Sequence, residues 1–343
     1  MIGRLSFARQ MLAVVILSTI LLLVLPLVFE IDRILQLTLI FAFSILALSL
    51  AFVWGYAGIF SFGQAAFFGI GGYAYAATAI NLGDSTPAII AGVLVPTLFS
   101  ALFGYFVFYA RLSKIFVAVI TLVMTLILYK FMGQTAKPDY MIGNARLGGY
   151  NGIPAVPPIN VPGQPHLFAG PDEMFYIAGF SLLAVYVLLR WSLRTRFGKI
   201  LVGMRENEKR MELLGFDTRL YKLLAFVVAA AVAGFGGVMF TNWNAFIDPH
   251  VFQLAFSAQP IIWVMIGGLG TLAGPILGTF ILSTLSLELG VQKVLDVNLL
   301  LGAIFTFFVL LVPQGIIPTV RNLLQSREAA AGNNVEGTPE ARG

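Results

Sequence analysis

The sequence predicts an all-α integral membrane protein of about ten transmembrane helices, some short or broken by Gly and Pro, with signs of a two-half internal repeat. Three observations carry this. Hydrophobic residues make up 59% of the 343 and charged residues only 11%, under half of the ~25% usual in a soluble domain. Long apolar runs recur along the whole chain, and mean hydropathy is +0.90. The basic residues gather between those runs, as the positive-inside rule requires of a multi-span protein. A net charge of +5 therefore reflects membrane topology and contact with lipid rather than a nucleic-acid partner.

The elements follow in order. The first apolar run, 11–29, begins after Arg4 and Arg9; it lacks a small-residue cleavage site and is followed by more spans, so it reads as a helix and not a signal peptide. Next come 34–54, a glycine-rich run 59–80, then 87–110, 115–132, 175–193 and 223–243. The run 256–289 is too long for one crossing of a ~30 Å core at ~1.5 Å per residue. Two short helices broken near 267–275 resolve this, and 299–312 makes the tenth span.

Charge sets the orientation. Arg4 and Arg9, Arg111 and Lys114, and the stretch 190–222 with nine of the 21 Lys and Arg all fall on one side if the spans alternate. That side is the cytoplasm, and ten spans put Arg321 and Arg327 there too, so both termini are expected inside. Residues 1–320 form one polytopic domain. Residues 133–174, rich in Pro and Gly, form an extracytoplasmic loop; 190–222 is cytoplasmic; 321–343 is expected to be a disordered cytoplasmic tail.

Soluble-style chemistry is missing. There is no cysteine, and the two histidines, His166 and His250, sit in different loops without metal-ligand company. No P-loop occurs, so the chain has no nucleotide-binding motif and no cofactor of its own. Few ionisable residues lie inside the runs, which argues against a proton-coupled carrier.

Two glycine-rich segments stand out, one in each half. In the first, Ser61, Ala65 and Gly69 are four apart and would line one helix face with small side chains, beside Gly63, Gln64 and Gly71. This reads either as close helix packing or as Ser61 and Gln64 facing a translocation path. The second holds Gly267, Gly268, Gly270 and Gly274. Paired Gly/Pro-broken segments can flank a transport path. The third notable stretch centres on 203–215, with Met204, Met211 and Leu214 on one helical face and Gly215 as the C-terminal stop. An amphipathic helix there either lies on the membrane or receives a soluble partner.

At these residues the chain resembles the permeases of branched-chain amino acid ABC transporters. Arg194-Thr-Arg196-Phe197-Gly198, Arg205-Glu206-Asn207-Glu208 and Leu214-Gly215-Phe216 resemble that family's cytoplasmic loop. Gly55-Tyr-Ala-Gly58, Ser61-Phe-Gly63 and Ala66-Phe67-Phe68-Gly69-Ile-Gly71 resemble its glycine-rich helix. Gly149-Tyr-Asn-Gly152-Ile-Pro154 resembles the periplasmic signature of its larger permease paralogue. Gly267 to Gly278 and Pro313-Gln-Gly315 complete the order.

The resemblance implies an importer built from two homologous permease subunits, two ATP-binding cassette subunits that carry ATP and Mg, and a periplasmic substrate-binding protein, in the bacterial inner membrane. It implies ATPase docking at Arg196, Gly198, Arg205, Glu206, Asn207, Glu208 and Gly215. Gln64 departs from the histidine of many relatives, and Tyr221-Lys222-Leu with Ile261-Ile-Trp263-Val is similar to the family's urea permeases. Urea or a short-chain amide is thus the alternative substrate. A stand-alone channel for a small neutral solute is the alternative of another class.

Overall fold

The computed structural model describes residues 7–161, 164–292 and 315–319, with single positions 302 and 306. The expected tenth span, 299–312, and the tail 321–343 lie outside these apart from those two positions, as does the side chain of His166.

The described chain is helical. The bundle is built from α1 (Phe7–Val28), α2 (Ile31–Gly55), α3 (Gln64–Leu82), α4 (Ser85–Tyr109), α5 (Lys114–Gly133), α6 (Pro171–Ser192), α9 (Thr218–Asn244), α10 (Leu254–Gly267) and α11 (Ala273–Gln292). Two short helices, α7 (Arg196–Glu206) and α8 (Glu208–Leu213), join α6 to α9. Six of these, α1, α2, α4, α5, α6 and α9, are long and apolar enough to cross a membrane. The run 256–289 divides into α10 and α11 where the charge argument placed its break.

The core is a three-helix contact of α3, α4 and α9 with α2 packed alongside. Glycines make it close: a β-carbon on Gly71 would overlap Gly234, and one on Gly92 would overlap Val238. Without a hydrophobic drive between helices in lipid, such close backbone packing is what holds a bundle together. α10 and α11 form an equally tight hairpin, since a β-carbon on Gly267 would meet the Gly274 carbonyl and one on Gly278 the Trp263 carbonyl.

The glycine-rich run 59–80 is not helical from its start. α2 ends at Gly55, and residues 57–63 run back into the bundle without helix before α3 begins at Gln64. Ser61 therefore does not share a helix face with Ala65 and Gly69. Non-helical backbone at membrane depth must find partners within the protein. Here Phe62 N–H donates to Thr121 Oγ1 of α5 at 3.2 Å, and Gly63 N–H to Ser61 Oγ at 3.0 Å.

The loop between α5 and α6 carries two small antiparallel hairpins, β1 (Met141–Ile142) with β2 (Ala145–Arg146) and β3 (Asn160–Val161) with β4 (Gln164–Phe168). It is tied to the bundle. Ile153 and Ile247 exchange backbone hydrogen bonds of 2.8 and 3.2 Å. Gly152 permits this with φ +66°, and a β-carbon there would overlap the Ile247 carbonyl. Buried Tyr75 of α3 donates to the Pro157 carbonyl at 3.0 Å and accepts from Asn242 Nδ2 of α9 at 2.6 Å. Tyr75→Phe leaves Asn242 without that acceptor and is expected to cost about 1–3 kcal/mol. The check is the thermal midpoint of the detergent-solubilised chain; an unchanged midpoint would mean the tether adds nothing.

Candidate functional site

The polar features gather at the two ends of the bundle. At one end lie α7, α8, the end of α2 and the α10–α11 break. At the other lie the α5–α6 loop and the 3-10 turn Pro249–Phe252. α9 links them, starting beside α8 and finishing at Asn244 near that turn.

At the first end the loop 190–222 is not one amphipathic helix. It breaks at Asn207, whose side chain accepts from Arg210 N–H at 3.0 Å and caps α8. Asn is among the best N-cap residues because its side-chain oxygen satisfies a first-turn N–H. α8 then stops as the glycine predicts. Gly215 has φ +89°, with Phe216 N–H bonded to Met211 O at 3.2 Å and Gly215 N–H to Glu212 O at 2.9 Å, a Schellman turn.

α7 is seated on the bundle by two contacts. Gly198 is buried against the end of α6, where a β-carbon would overlap the Leu193 backbone. Arg205 reaches the bundle itself: its guanidinium donates to the Gly55 carbonyl at the C-terminus of α2. That carbonyl has no partner within its helix and sits at the negative end of the helix dipole, a favourable place for a cation. Three glycines leave the slot. A β-carbon on Gly58 would come within 3.2 Å of Arg205 Cγ, one on Gly270 within 3.3 Å of Arg205 Nη1, and one on Gly55 within 3.0 Å of Gly270 N. The structure thus joins Arg205 to Gly270 and to Gly55, three residues that sequence reasoning placed in separate motifs.

α8 is held separately. Glu208 pairs with Lys222 near the start of α9, both side chains largely covered. Glu212 accepts from Thr218 Oγ1 at 2.8 Å. Arg196, Glu206 and Asn207 remain exposed. A cavity of about 600 Å³ opens beside α8, lined by Phe60, Arg111, Lys114, Asn207, Lys209 and Lys222 among others.

The remaining glycine-segment residues are internal. Ser61 and Gln64 are each 1% exposed. Gln64 Oε1 accepts from Ser49 Oγ at 3.1 Å, while its Nε2 has no hydrogen-bond partner. Gly63 lies against Thr121 and Met124, and a β-carbon on Gly69 would overlap the Phe252 ring. Gly268 lies under Gly315, so the last two motifs touch. Thr271 Oγ1 caps the break, accepting from Gly274 N–H at 3.2 Å.

At the other end a cavity of about 530 Å³ lies between α2, α9, α10, α11 and the 3-10 turn. Sequence reasoning passed over its polar residues, Asp248, Gln259, Ser283 and Ser286, and gave His250 no role beyond its loop. Only a break in apolar composition marked them.

The family model described as "Branched-chain amino acid transport system / permease component" matches residues 33–312, most of the chain, including both seats of α7 and the α10–α11 break. The chain belongs to that family. The permease is 28% identical to "High-affinity branched-chain amino acid transport system permease protein LivM" of Escherichia coli (strain K12), over 86% of this chain and 72% of that one. It is 25% identical to "Probable branched-chain amino acid transport permease protein LivM" of Methanocaldococcus jannaschii, over 73% and 79%. A shorter likeness, 28% over 32% of the permease, is to LivH of Salmonella typhimurium, likewise titled a high-affinity branched-chain amino acid transport system permease protein. No solved structure matches the chain. The family match begins at residue 33, so α1 lies outside it.

Proposed function

We propose that this chain is the membrane-spanning permease subunit of a binding-protein-dependent ABC importer that carries branched-chain or related amino acids across a bacterial inner membrane. The observation that carries this reading is the family match across residues 33–312. In this reading α7 and α8 face the cytoplasm, as do both termini, on the distribution of Lys and Arg. A homologous second permease completes the pore, two ATPase subunits bind ATP and Mg, and a periplasmic binding protein delivers the solute. The chain performs no catalysis itself.

The geometry supports a coupling role for the cytoplasmic loop. Arg196, Glu206 and Asn207 offer exposed polar groups to an ATPase surface. Gly198, Arg205 and Glu208 anchor the same two helices to α6, to α2 with the α10–α11 break, and to α9. A push on α7 and α8 is thereby passed to helices that cross the membrane. Alternation between outward- and inward-open states follows from moving those helices as a unit.

The test is uptake by proteoliposomes holding the chain with its operon-encoded permease, ATPase and binding-protein partners. ATP-dependent accumulation of labelled leucine or isoleucine is expected. ATP-dependent uptake of urea or acetamide in place of leucine would move the assignment to the amide-transporting branch. Equal solute flux through the chain alone, without ATP, would replace the importer by a channel.

A further inference from the structure

The cavity between α2, α9, α10 and α11 joins an aromatic wall to several polar side chains. Its wall is aromatic: Phe43 lies 5.7 Å from Phe240, 6.0 Å from Phe256 and 5.4 Å from Trp263, ring centre to ring centre. Set into that wall are Gln259, Ser283 and Ser286, none of which has a hydrogen-bond partner among the described residues. Ser283 is only 9% exposed. Gln259 and Ser286 are half-buried, so these polar groups open onto the cavity and are available to a polar solute that enters it.

Charge at the rim is equally uneven. Glu288, next to the lining Leu287, is paired with Arg33 of α2. Asp248 also faces the cavity; its Oδ1 accepts from His250 N–H at 2.9 Å, capping the 3-10 turn, and its Oδ2 lies 3.2 Å from His250 Nδ1. One end of the cavity thus offers an anion beside an imidazole, the middle offers neutral donors, and the wall offers aromatic surface. The volume, about 530 Å³, is within the roughly 300–1,000 Å³ of small-molecule sites.

We propose that this cavity holds an aliphatic α-amino acid in transit. The ammonium group faces the Asp248 carboxylate. The carboxylate group accepts from the Gln259 amide and the Ser283 and Ser286 hydroxyls. The side chain lies on Phe43, Phe240, Phe256 and Trp263. This rests on the amino-acid importer reading above. It relocates the transit site from Ser61 and Gln64, which are sealed in the protein interior, to an opening at the end of the bundle opposite α7 and α8.

The absence of native cysteine makes a direct test available. Ser283→Cys and, separately, Ser286→Cys are placed in the assembled transporter in membranes and treated with a water-soluble, membrane-impermeant thiosulfonate. Each variant is first required to assemble with its partners as a monodisperse complex with the thermal midpoint of the unsubstituted transporter, so that misfolding is set apart. Both cysteines are expected to react, while Ser49→Cys, in the packed core, does not. Leucine at about ten times its dissociation constant should slow the reaction about tenfold, because only the empty fraction is labelled. Urea and acetamide should leave the rate unchanged.

Labelling only by a lipid-soluble reagent would overturn the proposal, because the cavity would then face lipid. Reaction of both cysteines that leucine never slows, where the unsubstituted transporter imports leucine, would overturn it while leaving the importer reading intact. Protection by urea and not by leucine would overturn both.

Discussion

Arg205→Ala is expected to cut ATP-driven uptake by the assembled importer about tenfold or more while ATP hydrolysis continues. The magnitude follows from one charge-assisted hydrogen bond, worth about 1.5–3 kcal/mol, with tenfold per ~1.4 kcal/mol. The bond in question is the one from the Arg205 guanidinium to the Gly55 carbonyl. It is the contact through which α7 reaches both α2 and the α10–α11 break, because Gly270 borders the same slot. Losing it lets α7 move without taking those helices along. Arg205→Lys should not rescue transport, since a flexible point charge does not reproduce a planar fork seated between three glycines. Glu208→Gln, which weakens the pair with Lys222 at α8, should cost less, because part-exposed ion pairs are worth about 1 kcal/mol or below. The measurement is the ratio of solute moved to ATP hydrolysed. An unchanged ratio in Arg205→Ala would remove the joint from the coupling route, and equal loss of hydrolysis and uptake would place Arg205 in ATPase binding instead.

Arg205 also marks where reading the sequence stops. Its motif and its place in a charged loop were legible, because local composition fixes them. Its partner was not, because Gly55 lies 150 residues away and nothing local pairs them. The break at Asn207 had a visible signal, an N-capping residue inside a helical pattern, yet Gly203 to Leu214 still reads as one amphipathic helix if periodicity alone is weighed. The α10–α11 break was legible for a different reason: a run too long for the bilayer must divide, and Gly267 to Pro275 is where glycine and proline allow it. Ser61 shows the opposite case. Four-residue spacing from Ser61 to Gly69 suggests one helix face, but the chain is non-helical through residue 63, its backbone supported by Thr121 of α5. The cavity residues were harder still. Gln259, Ser283 and Ser286 are scattered over two helices, and only the antiparallel fold of α10 on α11 gathers them.

Gly237→Val is expected to be the most damaging single substitution in the transmembrane core. Gly237 of α9 faces α3, and a β-carbon there would overlap the Phe68 carbonyl and come within 3.1 Å of Gly72 N. These are backbone atoms, so no rotamer change relieves the overlap and the helices must separate. Overpacking of this kind costs about 1–3 kcal/mol and occasionally more, whereas exchanging glycine for valine within a helix returns only a few tenths. The overlap therefore sets the sign. Its reach is wide because Gly71, Gly92 and Gly234 continue the same seam: a β-carbon on Gly234 would overlap Pro96 of α4, so spreading α9 from α3 also opens α9 from α4. Packing and small-residue contact are the main forces between helices in lipid, so little remains to hold the bundle once the seam opens. The check compares Gly237→Val with Gly170→Ala, where the nearest contact to an added β-carbon is 3.7 Å away on Glu173 and the backbone is already extended. The expected result is a sharp fall in folded, monodisperse protein and in thermal midpoint for Gly237→Val and neither for Gly170→Ala. Equal behaviour of the two would mean that α3 and α9 are not in backbone contact, and that some other surface holds the bundle closed.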